Sequence, residues 1–121
     1  MTKTLPEKLF LRSNYSVAFL HVPEIMQNDL KIKNKTDTDL DNSYNFILAF
    51  YNKKGDLENE VTKLKEALEE NGLLWIAYPK AKAFETDLNR DILHETAKQF
   101  GLDGVSLISL NETWSAMRFK K

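Results

Sequence analysis

The sequence predicts an α/β fold, a three-layer α/β/α sandwich around a five-stranded mixed sheet. Apolar segments with few charges alternate with amphipathic segments, which is typical of a parallel sheet covered by helices on both faces. Right-handed crossovers between such strands leave few topologies. The last two apolar segments are separated only by residues 111–113, which indicates a tight hairpin and therefore one antiparallel strand.

The first third of the chain is predicted to hold a helix, a strand and a second short helix. Thr4 and Glu7 have capping-box spacing, which predicts a helix within residues 4–12. Residues 15–22 are rich in β-branched and aromatic side chains, as in a buried strand. Pro23 then stands at the first position of a short helix.

Residues 31–45 form the least regular stretch. A basic cluster alternates there with an acidic one, and there is little to bury. We expect a loop, with a short strand near residues 30–32 as an alternative. Residues 44–51 then form a second near-continuous apolar strand.

The clearest helix is predicted over residues 56–71. Its apolar residues fall on one stripe at the helical period: Leu57, Val61, Leu64 and Leu68. Asn71 and Gly72 tolerate the left-handed conformation that ends a helix. Residues 73–78 form the third strand, which Pro79 ends because it has no N–H to donate.

The last third is predicted to hold one helix and two strands. Residues 86–100 form a second long helix, and Gly101 ends it. Residues 105–110 and 114–119 are the closing strands, so the sheet has four parallel strands and a last antiparallel one.

Composition excludes several classes of protein. The 121 residues suffice for one domain, residues 1–121, with one core. Seventeen basic and eighteen acidic side chains leave a net charge of −1, which argues against a non-specific polyanion binder. Neither basic cluster, in residues 31–35 or 118–121, forms a stripe with interleaved aromatic residues, so we expect no nucleic-acid partner. No cysteine is present, so disulfides, thiolate metal sites and thiol catalysis are excluded. No apolar run or leader suits a membrane, so we expect a cytoplasmic protein.

Two resemblances add to this pattern. Residues 45–121, and the run EALEENGLLWIAYPK (66–80) in particular, are similar to the second half of a Rossmann-type methyltransferase. That resemblance implies a Rossmann-like sheet in which the last strand lies beside the third, giving the order 1-2-3-5-4. Three strings spread over the chain, GLLWIAYPK, ETDLNRD and NETWSAMRF, resemble an uncharacterised bacterial family known only as a domain of unknown function (number 3052). That family supplies a fold expectation and no catalytic residues.

The sequence differs from methyltransferases at the positions that would bind the cofactor. A methyltransferase needs a glycine-rich turn after its first strand, so that the backbone can approach adenosylmethionine. Residues 21–24 contain no glycine. A ribose-binding acid would end the next strand, which is missing or vestigial here, and Asp37, Asp39 and Asp41 are predicted to lie in a loop. We therefore expect no bound cofactor.

Ligands of an open α/β sheet bind outside the carboxyl ends of its strands. The segments predicted there supply the candidate ligand-binding residues: His21, Tyr78, Lys80, Thr86, Asp87, Arg90, Trp114 and Ser115. His21 is a candidate proton carrier near neutral pH, or else a structural histidine. Trp114 lines a pocket or an oligomer interface, or else only packs.

The charged candidates also have structural alternatives. Lys80 offers a positive charge to an anionic ligand, or is a solvated lysine. Thr86 and Asp87 cap the following helix, or the N–H groups beside them bind an anion. Arg90 pairs with Asp87 one turn away, or holds a ligand carboxylate. His94 is expected on the polar side of its helix, and no His pair with metal-ligand spacing occurs, so no metal site is predicted.

Two functional hypotheses follow. The leading one is a non-enzymatic, degenerate Rossmann-like domain used for binding or assembly, without a bound cofactor. The alternative is a small-molecule enzyme, or a protein that binds an anionic ligand, at the carboxyl end of the sheet. A homodimer through an outer strand, either residues 15–22 or residues 105–110, is a further hypothesis, because neither segment carries the lysines or prolines that block pairing.

Overall fold

The computed structural model describes residues 4–80 and 87–121. The described elements follow in chain order: α1 (Leu5–Lys8), β1 (Val17–Leu20), a 3₁₀ turn (Glu24–Met26), β2 (Thr36–Asp37), β3 (Tyr44–Phe50), α2 (Lys54–Ala67), β4 (Leu68–Pro79), α3 (Arg90–Gln99), β5 (Asp103–Ser109) and β6 (Trp114–Lys120). Within this part of the chain, no helix has both the length and the apolar character that crossing a membrane requires.

The sheet has six strands in the order β2-β1-β3-β4-β6-β5. The pairs β1–β2, β1–β3 and β3–β4 are parallel, and β6 is antiparallel to both β4 and β5. The prediction of five strands was therefore wrong in strand number and in the outer strand beside β1. Thr36–Asp37 escaped prediction because two polar residues have no readable apolar period. The other five strands keep the relative order that the methyltransferase resemblance implies.

Helical segments cover both faces of the sheet, which gives the three predicted layers. On one face, α2 and α3 pack their apolar stripes against residues such as Ile47 and Ile76. On the other face, the segments around α1 and the 3₁₀ turn cover Phe46 and Trp75. The buried Trp75 indole donates a hydrogen bond to the Leu9 carbonyl at 3.0 Å, which ties the N-terminal segment to the sheet.

The boundary between α2 and β4 differs from prediction. The helix ends at Ala67 rather than at residue 71, and β4 begins at Leu68. Leu68 continues the helical apolar stripe in sequence, yet in the structure it pairs with Tyr44. Asn71 does adopt a left-handed backbone (φ 64°), but it lies inside an irregular part of β4 and not at a helix end.

The C-terminal half otherwise follows the predicted pattern. The helix predicted over residues 86–100 runs from Arg90 to Gln99, and the side chain of Asn89 caps it by accepting from the Ile92 N–H at 2.9 Å. Thr86 lies outside the described residues, so its predicted cap is not among them. The hairpin before β6 forms as expected, because Asn111 Oδ1 accepts from the N–H groups of Thr113 and Trp114, each at 2.8 Å.

Candidate functional site

The carboxyl end of the sheet brings distant segments together. His21 directly follows β1 and Tyr51 directly follows β3, and these two strands are parallel neighbours. At the same end, Pro79 of β4 pairs with Trp114 of β6. The Lys80 N–H also donates to the Thr113 carbonyl at 2.7 Å. The predicted meeting of these segments therefore occurs in the structure.

A cleft of about 580 Å³ opens at this end, and we call it the main cleft. Its lining residues come from four segments: His21, Pro23, Phe50, Tyr51, Asn52, Asp56, Asn59, Glu60 and Trp114. Aromatic rings form one part of the wall, with Phe50 and Trp114 packed edge to face at 5.2 Å between ring centroids. Asp56 and Glu60 are the charged carboxylates of this lining, which contains no lysine or arginine among the described residues.

A three-residue cluster forms the wall nearest α2. Oε1 of Glu60 lies 2.7 Å from Nε2 of His21 and 2.7 Å from the Tyr51 hydroxyl. The rings of His21 and Tyr51 meet edge to face at 5.5 Å. A second cleft of about 480 Å³, lined by residues 38–42 and part of α2, shares His21 and Glu60 with the main cleft. The His21–Glu60 pair thus separates two open spaces.

The protonation states within this cluster follow from its contacts. Burial opposes ionisation of Glu60, but hydrogen bonds from Tyr51 and His21 outweigh it and lower the pKa of the carboxyl below its ordinary 4.5. Burial, followed by the adjacent Glu60 carboxylate, raises the pKa of the Tyr51 phenol. At neutral pH the cluster therefore holds a carboxylate that accepts from a protonated tyrosine.

The backbone at His21 is strained. Its φ of 57° is in the left-handed region, which is uncommon for residues other than glycine. Such strain persists only where the surrounding structure enforces it, and it is concentrated at functional sites. Here the hydrogen bond to Glu60 and the contact with Tyr51 hold the imidazole in place.

The predicted site residues divide into separate groups. His21 and Trp114 line the main cleft. Tyr78 is buried on the opposite face of the sheet from Trp114, in the core beneath α2 and α3, and burial raises the pKa of its phenol. Ser115 pairs with Tyr78, so strand alternation places it on that same face. Lys80 donates to the Ser109 hydroxyl at 2.6 Å, beside the β5–β6 hairpin.

Asp87 and Arg90 have partners other than those predicted. Asp87 does not cap the helix that follows it; Oδ1 accepts from the Lys54 N–H at 2.8 Å and so caps α2. Lys53, at the N-cap position of α2, makes no side-chain cap of its own. Arg90 contacts Asp91 rather than Asp87, at 3.4 Å and in an exposed position. Spacing along the chain could not predict the Asp87 contact, because the helix that Asp87 caps lies in a distant segment.

Glu60 is the functional candidate that the sequence analysis missed. It is one of several acidic residues in the predicted helix over residues 56–71, a pattern typical of a solvated helix face. A usable signal was present, however, because position 60 lies three residues after Leu57 and four before Leu64, on the buried stripe of α2. A carboxylate at such a position needs partners, and the strand ends that carry His21 and Tyr51 supply them.

The acidic residues near β2 are engaged with their neighbours. Asp37, predicted in a loop, is in fact a residue of β2. The Tyr44 hydroxyl donates to its carboxylate, and this contact, followed by that of Asn42, lowers the pKa of Asp37. A hydrogen bond with Asp41 raises the pKa of Asp39. Among the described residues, no group of three potential ligands is placed to hold a metal ion.

Sequence comparison identifies the family. The profile of the family described as "Protein of unknown function (DUF3052)" matches residues 21–121. The chain belongs to this family. The DUF3052 match confirms the resemblance carried by the three sequence strings and begins at His21. No curated protein matches the sequence.

Solved structures similar to this DUF3052 chain include methyltransferases. N-methyltransferase NodS from Bradyrhizobium japonicum has a TM-score of 0.61 and 10% identity, with 97% of this chain and 92% of that chain covered. The CcbJ methyltransferase from Streptomyces caelestis has a TM-score of 0.62 and 10% identity, with 96% and 86% covered. A LepI variant in complex with SAH and a substrate analogue has a TM-score of 0.59 and 12% identity over 96% of this chain, which spans 38% of LepI. At these identities the likeness shows a Rossmann-like fold.

Proposed function

We propose that this DUF3052 protein is a small-molecule binding domain that uses a methyltransferase-like fold without S-adenosylmethionine. Its ligand occupies the main cleft and carries a positive charge. The observation that carries the proposal is the lining of that cleft, in which aromatic rings and the carboxylates of Asp56 and Glu60 surround about 580 Å³. Ligand clefts of this size at the carboxyl end of a sheet are the usual binding sites of open α/β folds.

The residues at the end of β1 do not fit S-adenosylmethionine. Close approach of the backbone to that cofactor requires glycine, whereas the turn here is His21-Val22-Pro23-Glu24. The His21 ring is fixed against Glu60 at this position. The carboxylate of Asp37, at the end of β2, accepts from Tyr44 and Asn42 and so is engaged within the protein.

A cationic ligand suits the lining better than an anionic one. An ammonium or guanidinium group over an aromatic face gains about 0.5–2 kcal/mol, and the carboxylates of the cleft add attraction. The predicted anion ligands do not lie in this cleft: Lys80 contacts Ser109, and Arg90 lies beside Asp91 in a groove next to β5. An enzyme acting in the main cleft is the second candidate, and the His21–Glu60 contact favours it.

Thermal unfolding in the presence of small ligands tests the proposal. The panel contains alkylammonium and guanidinium compounds, matched carboxylates and inorganic phosphate. Because a ligand at 100 times its Kd stabilises the folded state by about 2.7 kcal/mol, we expect members of the cationic set to raise Tm by several degrees.

Two substitutions on one helix separate site binding from a general charge effect. Asp56→Asn removes a carboxylate of the main cleft, whereas Glu58→Gln removes an exposed carboxylate of α2 that does not line it. We expect D56N to reduce the cationic Tm shift and E58Q to preserve it. A shift produced only by the anionic set, or equal reduction by both variants, would contradict the proposal.

A further inference from the structure

The contacts of Glu60 determine which nitrogen of His21 carries the proton. Oε1 of Glu60 is within 2.7 Å of both His21 Nε2 and the Tyr51 hydroxyl. An ionised carboxylate has no proton to donate, so both neighbours must donate to it. Neutral His21 is therefore the Nε2–H tautomer, and its Nδ1 carries a lone pair that can accept a proton.

His21 is also placed where a ligand can reach it. Its side chain is 52% exposed and lines both the main cleft and the second cleft. The left-handed backbone at this residue turns the chain at the end of β1, so the ring lies beside Tyr51. A base held in orientation by a third group and open to a cleft is the arrangement that proton-transfer sites share.

We propose that His21 transfers protons to and from a ligand in the main cleft, and that Glu60 is a positioning residue that holds the imidazole. This inference rests on the proposed function. The step begins when Nδ1 takes a proton from a carbon next to a ligand carbonyl. The C–H electron pair forms the enolate double bond, and the carbonyl π pair moves to oxygen. The imidazolium then returns the proton to the same carbon, to another carbon or to the oxygen, so no co-reactant is needed.

The cleft lining indicates the ligand class for this step. The carboxylates of Asp56 and Glu60 favour a cationic group, as argued above. Asn59 lines the same cleft, and a side-chain amide is an N–H donor of the kind that stabilises an enolate oxygen. We therefore assign the ligand to small carbonyl compounds that carry an ammonium group.

The test uses the acetonyltrimethylammonium ion, a ketone with a quaternary ammonium group. Proton NMR in D₂O measures binding from the chemical-shift changes of the probe and of Trp114. The same spectra measure hydrogen exchange from the loss of the methylene proton signal next to the carbonyl. We expect the protein to accelerate exchange about 100-fold or more over free imidazole at equal concentration. His21→Gln should abolish the acceleration, and Glu60→Gln should reduce it about tenfold or more. His94→Gln is the matched control, because His94 lies outside the main cleft, and it should leave the rate unchanged.

The outcomes distinguish this inference from the proposed function. If the probe binds in the main cleft but exchange is equal in wild type and H21Q, proton transfer by His21 is refuted and the binding function stands. If the probe does not bind there, the proposed function fails for this ligand class and the inference fails with it. Nitrogen-15 shifts of the His21 ring give a separate readout of Glu60: the Nε2–H tautomer in wild type supports positioning, and the Nδ1–H tautomer overturns it.

Discussion

At the scale of single residues, the side chains at the carboxyl end of the sheet work through contacts between distant segments. Glu60 joins the ends of β1 and β3, and Asp87 caps α2 from a segment 33 positions away along the chain. The placement of His21 and Trp114 at the carboxyl end of the sheet was predictable, because both adjoin strand ends on that side, and their role in a site stays a prediction. The partner of Asp87 was not predictable, since spacing along one helix cannot reveal a contact with another helix.

The Asp87 cap predicts a measurable loss of stability. Asp87→Ala removes the acceptor for the Lys54 N–H, and loss of such a cap typically lowers the free energy of unfolding by about 0.5–2 kcal/mol. Asp91→Ala is the control, because its contact with Arg90 is exposed and contributes about 0–1 kcal/mol. Urea unfolding measures both variants. A D87A variant as stable as wild type would show that the cap contributes nothing.

Glu60 predicts a pH-dependent contribution to stability. Because the pKa of its carboxyl is lower in the folded protein than its ordinary 4.5, the carboxylate stabilises the fold above that pH. This contribution is lost as pH falls through the folded pKa. We expect the difference in unfolding free energy between wild type and Glu60→Gln to be larger at neutral pH than in acid. Urea unfolding at several pH values measures this difference in unfolding free energy, with E58Q as the control for loss of a charge. A difference between wild type and E60Q that grows on acidification would refute the lowered pKa of Glu60.

At the scale of elements, the long apolar strands and the periodic helices could be predicted from the sequence, whereas the junctions between them could not. Period and composition located β3, α2 and β6 well, because apolar patterns report burial directly. The α2–β4 junction was misread: Asn71-Gly72 has the sequence of a helix cap but forms an irregularity in β4. The pairing of Leu68 with Tyr44 in the sheet determines where α2 ends and β4 begins. The local sequence around Asn71 does not contain that information.

The close packing at the irregularity in β4 predicts that replacing Gly72 destabilises the fold. A Cβ there would lie 2.8 Å from Leu68 Cδ1 and 2.9 Å from the Glu69 carbonyl oxygen. We expect Gly72→Ala to lower the free energy of unfolding by about 1–3 kcal/mol through overpacking. Gly55→Ala is the matched control in α2, where nothing lies within 4 Å, and it should raise stability by up to about 1 kcal/mol. Denaturant unfolding of both variants checks this; a neutral G72A would contradict the tight packing.

At the scale of the whole molecule, the sheet order follows a methyltransferase-like plan, while the end of β1 departs from it. The resemblance to methyltransferases implied the relative order of five strands but not the outer strand β2, whereas the missing glycine can be read directly from residues 21–24. The main cleft was not predictable in detail, since its lining combines four segments whose side-chain directions depend on packing.

The outer strands predict the oligomeric state. β2 is only two residues long, and β5 carries a register shift between Gly104 and Ser106, so each outer strand has a feature that hinders pairing with another chain. We therefore expect a monomer even though Val105 and Leu107 are 41% and 46% exposed. Light scattering at tens of micromolar measures the mass. A stable dimer that Leu107→Lys dissociates would instead support pairing through β5.

Calorimetric titration with S-adenosylmethionine tests the central claim most directly. A methyltransferase-like fold whose β1 turn carries His21, held by Glu60, in place of glycine should bind this molecule with a Kd weaker than about 1 mM, so no saturable heat should appear. A saturable titration with a Kd near 10 μM or tighter would show that the cofactor site is intact. That result would contradict the proposal that this chain uses the fold without S-adenosylmethionine.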